Sequence, residues 1–158
     1  MRNHYAVTSQ GGELDLNKQV CFALYRASRA LTQLYRPLLD ELDLTYPQYL
    51  ALLVLWEHGP MTVRALGQTL DLDSGTLSPM LKRLAAREVI ERKRSAADER
   101  SVVVHLTERG DALRAQAAAI PDRVADSTVL DADQLTALRD NLTALTDAVN
   151  AHRAKGES

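Results

Sequence analysis

The chain is short of the residues that commit a protein to several kinds of chemistry. It has one cysteine in 158 residues, so no disulfide can form within it. That count suits a reducing compartment. Its four histidines, His4, His58, His105 and His152, are scattered, with no pair at metal-ligand spacing, so neither a zinc site nor any other cofactor is expected. Aromatic residues are only 4%, with one Trp and one Phe. No apolar run approaches the roughly 20 residues that cross a bilayer. The opening MRNHYAVTSQGGELDL lacks a signal peptide's apolar stretch, so the expected location is cytoplasmic, with no membrane partner. A large excess of one sign of charge is also lacking, with 19 Lys and Arg against 21 Asp and Glu. The net charge is −2, so any surface for a polyanion must come from uneven placement.

Hydrophobic residues make up 46%, enough for one domain with a core plus an oligomerisation element. Residues 1–13 read as a mobile arm. From Leu14 to Leu42 apolar residues recur at helical spacing (Leu16, Val20, Ala23, Leu24, Ala27, Leu31, Leu34, Leu38), which predicts one long helix bent or broken near Pro37. Thr45 and Gln48 form a capping box for YPQYLALLVLWEH, apolar on most sides and so expected to be buried, with Trp56 in the core; Gly59-Pro60 ends it. Two helical segments follow, TVRALGQTL over 62–70 and DSGTLSPMLKRLAAREV over 73–89, the latter with Asp73 or Ser74 as N-cap and Gly75 leaving room for Pro79. The period then changes. IERKR and SVVVHL read as two strands around a polar tip, SAADER. Thr107 caps a helix to about Ser127, bent near Pro121, and Asp131 with Gln134 opens the last one. Leu135, Leu138, Leu142, Leu145 and Val149 make one stripe on it.

Two helices across a tight turn followed by a β-hairpin predict a mainly α winged helix-turn-helix with a small β-hairpin. The winged lobe is expected over 46–106, with helical dimerisation regions at 14–45 and 107–154. The second helix of the motif would enter the major groove of double-stranded operator DNA, led by Asp73, Ser74, Gly75, Thr76 and Ser78, with Lys82 and Arg83 on the backbone. Residues 82–100 carry seven basic and four acidic side chains inside an acidic chain, a local basic patch. Arg92, Arg94 and Arg100 belong to the wing, where an arginine fits a narrow minor groove and Asp98 would orient Arg100. Two recognition helices are needed for palindromic half-sites, and the first and last helices carry stripes that need burial, so a homodimer is expected.

The text TYPQYLALLVLWEHGPMTVRALGQTLDLDSGTLSPMLKRLAAREVIERKRSAADERSVVVHLTERG resembles the core of the MarR family of transcriptional regulators, most specifically at DSGTLSPMLKRL and at DERS followed by LTERG. The resemblance runs over residues 15–150. The set QVCFALY, LYRPLL and TYPQYL is similar to the organic-hydroperoxide-sensing, OhrR-type branch, in its one-cysteine class. That resemblance implies a repressor, not an enzyme, whose reactive cysteine (Cys21 here) lies at a dimer interface among the hydroxyls of Tyr25, Tyr35 and Tyr46. The spacing adds a constraint. Tyr25 is one turn from Cys21, whereas Tyr35 is fourteen residues on, about 21 Å along a straight helix. If Tyr35 serves a thiol, the thiol belongs to the other subunit, and Tyr46 follows the same logic. Organic hydroperoxides would be the effectors. With no second cysteine, the sulfenic acid would be capped by a low-molecular-weight thiol or oxidised further. The alternative expectation is a MarR-type repressor released by a small phenolic or lipophilic ligand, with Cys21 uninvolved. A peroxidase would need a resolving cysteine or a βαβ pattern, and the basic wing would have no purpose.

Overall fold

The computed structural model describes residues 15–95 and 100–156. In order these form a 3₁₀ turn (Leu16–Lys18), α1 (Val20–Asp40), α2 (Tyr46–His58), β1 (Met61–Thr62), α3 (Val63–Leu70), α4 (Ser74–Ala86), β2 (Ile90–Arg94), β3 (Val102–Leu106), α5 (Glu108–Ala117), α6 (Ile120–Asp126) and α7 (Ala132–Gly156). The fold is mainly helical with one small antiparallel sheet, as the sequence predicts. Contacts divide it into two units, residues 1–115 and 116–158, the division falling inside α5.

The first unit holds the core. Leu52 and Leu55 of α2, Leu66 of α3, Leu77, Leu81 and Leu84 of α4, Val89 in the turn after it, and Ile90 and Val104 of the sheet are all essentially inaccessible. Apolar positions on nearly every side of α2 explain its burial. Its Thr45–Gln48 capping box is formed, and Gly59, at φ +76, ends it in a conformation that glycine adopts without strain. Trp56 is buried as expected, and its Nε1 donates to Gly110 O at 3.0 Å.

Three elements differ from the expectation: the first helix, α4 and the helix after Thr107. The long first helix starts late. Asp15 accepts from Asn17 N at 3.0 Å and caps a 3₁₀ turn, Gln19 is extended, and α1 begins afresh at Val20; Leu14 lies outside the described residues. Pro37 is accommodated within α1, which continues to Asp40. α4 stops at Ala86 and not at Val89, because Glu88 turns left-handed (φ +57) and Val89 N donates back to Leu84 O at 3.0 Å. The helix after Thr107 is two helices, with Pro121 in the first turn of α6, where a missing N–H costs nothing.

The sheet has a third strand. Met61–Thr62 pairs with Val103–Val104, giving the order β1-β3-β2. Two residues are too few for an alternation to show. β2 and β3 pair from Ile90↔Leu106 to Arg94↔Val102, and Ser95 N closes the hairpin on Ser101 O at 2.8 Å.

The second unit contains α6 and α7. Ile120 and Val124 are buried, while the stripe on α7 is open, with Leu138, Leu142, Leu145 and Val149 all exposed. In the first unit, Leu16 and Val20 are exposed beside the start of α1, and Leu31 is exposed midway along it. No helix among the described residues is long and apolar enough to cross a membrane.

Candidate nucleic-acid interface and thiol site

The helix-turn-helix is built from two caps and one close approach. Thr62 Oγ1 accepts from Ala65 N at 3.1 Å and starts α3. Asp71 ends it at φ +52, in the left-handed region that aspartate tolerates better than most side chains. Leu72 N then donates to Gly67 O at 2.9 Å. A Cβ on Gly67 would stand 2.9 Å from Leu72 O and 3.2 Å from Leu77 Cδ2, so glycine lets α4 cross α3 closely.

Asp73, rather than Ser74, is the N-cap of α4. Its Oδ1 accepts from Thr76 N at 2.9 Å and its Oδ2 from the Thr76 hydroxyl at 2.8 Å. These bonds, the hydroxyl's first, hold the Asp73 carboxyl below its ordinary value. A folded-state value lower than the unfolded one means the cap stabilises above the ordinary 3.8 and fails as pH falls through the lowered value. Asp73→Ala is therefore expected to lower Tm at pH 7, with the gap to wild type closing in acid, as thermal melts across pH would show.

One face of α4 is core and the other is open. Leu77, Met80, Leu81 and Leu84 are buried, whereas Ser74, Gly75, Thr76, Lys82 and Arg83 are exposed and Ser78 is half-buried. The sequence-predicted contact residues thus share the face that the core leaves free. In the wing, Arg92 and Arg94 are exposed on β2, and Lys93 pairs with Glu91. Arg100 is exposed and Asp98 lies outside the described residues, so its pairing with Arg100 stays an expectation. Arg64, exposed in the first turn of α3, is a basic position that sequence reasoning did not single out; the helix-turn-helix geometry, in which the first helix crosses the DNA backbone, is the signal that points to it. Arg94→Ala is expected to weaken binding similarly on all DNA sequences and to reduce the salt slope by about 1 per chain, measurable by titration at several salt concentrations.

Cys21 is exposed in the first turn of α1, at the positive end of the helix dipole, with no side-chain cap on that helix. Phe22 and Leu24 beside it are half-buried. Tyr25 is one turn along, but its hydroxyl accepts from Arg29 Nη1 at 3.1 Å, and the Arg29 guanidinium lies 5.6 Å from its ring centre. Among the described residues no hydrogen bond joins Tyr25 to Cys21.

Tyr35 and Tyr46 form a separate group. Their ring centres are 4.8 Å apart, and Tyr49 lies 6.0 Å from Tyr35. Tyr49, itself in edge contact with Trp56 at 6.5 Å, is three residues after Tyr46 on α2 and meets Tyr35 of α1. Burial, and then the neighbouring Tyr46 phenol, push Tyr35 above its ordinary value, so it stays a hydrogen-bond donor. Because α1 runs unbroken through both Cys21 and Tyr35, they sit about 21 Å apart along its axis. The structure brings Tyr35 and Tyr46 together and leaves Cys21 of the same chain away from them. Next to Tyr46, a cleft of about 560 Å³ opens between α1 and the start of α2, lined by Arg29, Thr32, Arg36, Leu39 and Tyr46 among others.

Comparison with known proteins places this arrangement. Residues 33–116 match the model of the SarA/Rot transcriptional regulator family. The organic hydroperoxide resistance transcriptional regulator of Bacillus subtilis is 47% identical over 137 residues, 87% of this chain and 93% of that protein. Among solved structures, reduced AbfR bound to DNA superposes with a TM-score of 0.73 at 33% identity, over 86% of this chain and 93% of its own. Overoxidised AbfR bound to DNA gives 0.69 at 34% identity, over 85% and 94%. The chain belongs to the SarA/Rot and MarR-like family of winged-helix regulators, and is a DNA-binding transcriptional regulator. Within the family it is of the organic-hydroperoxide-regulator type.

Proposed function

We propose that the protein is a redox-sensing repressor, a homodimer that holds palindromic operator DNA while Cys21 is a thiol and lets go when an organic hydroperoxide oxidises it. The observation that carries this reading is the placement of the single cysteine. It is exposed at the start of α1, about 21 Å along that helix from Tyr35, whose ring packs against that of Tyr46. A second copy packed antiparallel along α1 would bring one chain's thiol to the other's phenols. The exposed apolar residues Leu16, Val20 and Leu31 support burial of that segment in a dimer. The Bacillus subtilis relative, named for organic hydroperoxide resistance, supports the effector class.

In the reaction, the Cys21 thiolate attacks the terminal oxygen of the hydroperoxide. An S–O bond forms, the O–O bond breaks, and the alkoxide leaves and takes up a proton as the alcohol. Sulfur is oxidised by two electrons to Cys–SOH and the peroxide is reduced. Cys21 sits at the positive end of the α1 dipole, and phenol hydroxyls of the partner chain would donate to sulfur or to the leaving oxygen. The half-buried Phe22 and Leu24 beside Cys21 would favour alkyl over hydrogen peroxide. A low-molecular-weight thiol then caps the sulfenic acid, or oxidation continues.

The test is an operator-binding titration with and without cumene hydroperoxide, with the intact mass of the protein read on the same samples. Affinity should fall as one oxygen, or a thiol adduct, is added. Since overoxidised AbfR has been solved on DNA, the mass must separate Cys–SOH and its adducts from the higher acids. Release with no mass change would sink the redox reading. It would favour the second one, release by a phenolic or lipophilic ligand, which has the 560 Å³ cleft beside Tyr46 in its support.

A further inference from the structure

The recognition helix is tied to the turn that carries Tyr46. α4 ends at Ala86, and Arg87, its C-cap, leaves the helical path at φ −93, ψ 7. The guanidinium reaches back to the 41–45 turn between α1 and α2. Nη2 lies 2.9 Å from Asp43 Oδ2 and donates to Leu42 O at 3.4 Å, while Nη1 donates to Asp43 O. The Arg87 side chain is only 24% exposed, whereas that of Asp43 is 87% exposed. The ion pair is thus open to water, and such pairs contribute little by themselves. The planar fork on two successive carbonyls is the stronger constraint, because it fixes direction as well as distance.

The turn it grips is unusual and well placed. Asp43 holds φ +56, and Leu44 N donates back to Leu39 O at 3.0 Å. Two residues after Asp43, Thr45 caps α2, and Tyr46 is the first residue of that helix, its ring packed at a tilt against that of Tyr35. One side chain therefore connects the end of α4 to a segment whose other end is the phenol pair.

We propose that Arg87 is a coupling residue, transmitting a displacement of Tyr46 to the recognition helix. This rests on the reading of Cys21 as the sensor. When oxidised sulfur from the partner chain displaces the phenols, the 41–45 turn shifts, and Arg87 carries the C-terminal end of α4 with it. α4 spans thirteen residues, about 20 Å, so a tilt of about 5° at one end moves its DNA-facing end by about 2 Å. Two such shifts in a dimer spoil a half-site spacing of about 34 Å.

The experiment reads two quantities together in full-length protein, the fraction of Cys21 oxidised by cumene hydroperoxide (intact mass) and the operator affinity before and after. In Arg87→Met, which keeps bulk and removes the fork, Cys21 should oxidise at the wild-type rate while the oxidation-induced loss of affinity shrinks by about 3- to 10-fold. Arg87→Lys, which retains the Asp43 pair alone, should fall between. Asp43→Asn, which tolerates the left-handed turn, should shrink the loss less than Arg87→Met and covers the case in which that variant does not fold. A purely structural Arg87 would lower Tm and weaken reduced and oxidised protein equally, leaving the ratio at the wild-type value; that result overturns the proposal. If the unsubstituted protein oxidises and keeps its DNA affinity, the sensing reading itself falls and this one with it.

Discussion

Protein carrying Cys21→Ser should bind operator DNA within about twofold of wild type and stay bound at a hydroperoxide dose that weakens the wild type by roughly 10- to 100-fold, the range typical of coupled sites. The two halves of that outcome have different causes. Cys21 is exposed and outside the hydrogen-bonded core, so exchanging sulfur for oxygen removes no packing that the DNA-binding lobe depends on. The response disappears because a serine hydroxyl is not ionised at neutral pH and does not attack a peroxide bond, whereas a thiolate does. Fluorescence anisotropy on labelled operator, with intact mass in parallel, measures both. A serine variant that still releases DNA with cumene hydroperoxide would remove Cys21 from the mechanism.

The second large effect is one of folding. Gly110→Ala is expected to cost about 3 kcal/mol, the upper end for an overpacked site. Alanine in an unconstrained helix would be worth about 1 kcal/mol over glycine, so the sign here is decided by space. A Cβ at 110 would lie 2.0 Å from Val89 O and 3.2 Å from Leu106 Cδ2. Val89 O cannot yield cheaply. It accepts from Thr107 N at 3.2 Å and from the Thr107 hydroxyl at 3.1 Å, and it belongs to the turn that ends α4. Gly110 O is held from the far side by Trp56 Nε1. A methyl therefore pries α5 from both the recognition helix and the sheet. For a chain of this size the loss corresponds to a Tm lower by about 6–12 °C. Gly156, where an added Cβ meets nothing, is the control, and Gly156→Ala should leave Tm within about a degree. An unchanged melt for Gly110→Ala would contradict the close packing at LTERG.

Much of this was legible from local chemistry. The Thr45–Gln48 capping box, the end of α2 at Gly59 and the β-branched run of β3 are properties of neighbours in sequence, and each forms as read; the cap of α4, open between Asp73 and Ser74, falls on Asp73. The separation of Cys21 from Tyr35 was legible too, because a helix converts residue count into length. What escaped depended on contacts between distant residues. The two-residue β1 exists only because β3 lies beside it. The contact of Tyr49 with Tyr35 is likewise a product of packing. The break at Gln19 escaped for the opposite reason: Leu16 and Val20 continue the helical spacing through it, and periodicity does not register an interrupted backbone. Near Pro121 the sequence marks an interruption, which is a split and not a bend.

Among the described residues, the strand order β1-β3-β2 leaves the sheet with two outer strands, β1 and β2. One is two residues long, too short to template a neighbouring chain. The other is β2, where Arg92, Lys93 and Arg94 stand in a row. Cations on an outer strand repel a second copy of the same strand, a common protection against β-aggregation. The residues that make the wing attractive to a polyanion thus also keep sheets from joining edge to edge. Neutralising them removes both properties at once, so a wing variant that no longer shifts DNA reports a lost contact only if it has first been shown to be monodisperse.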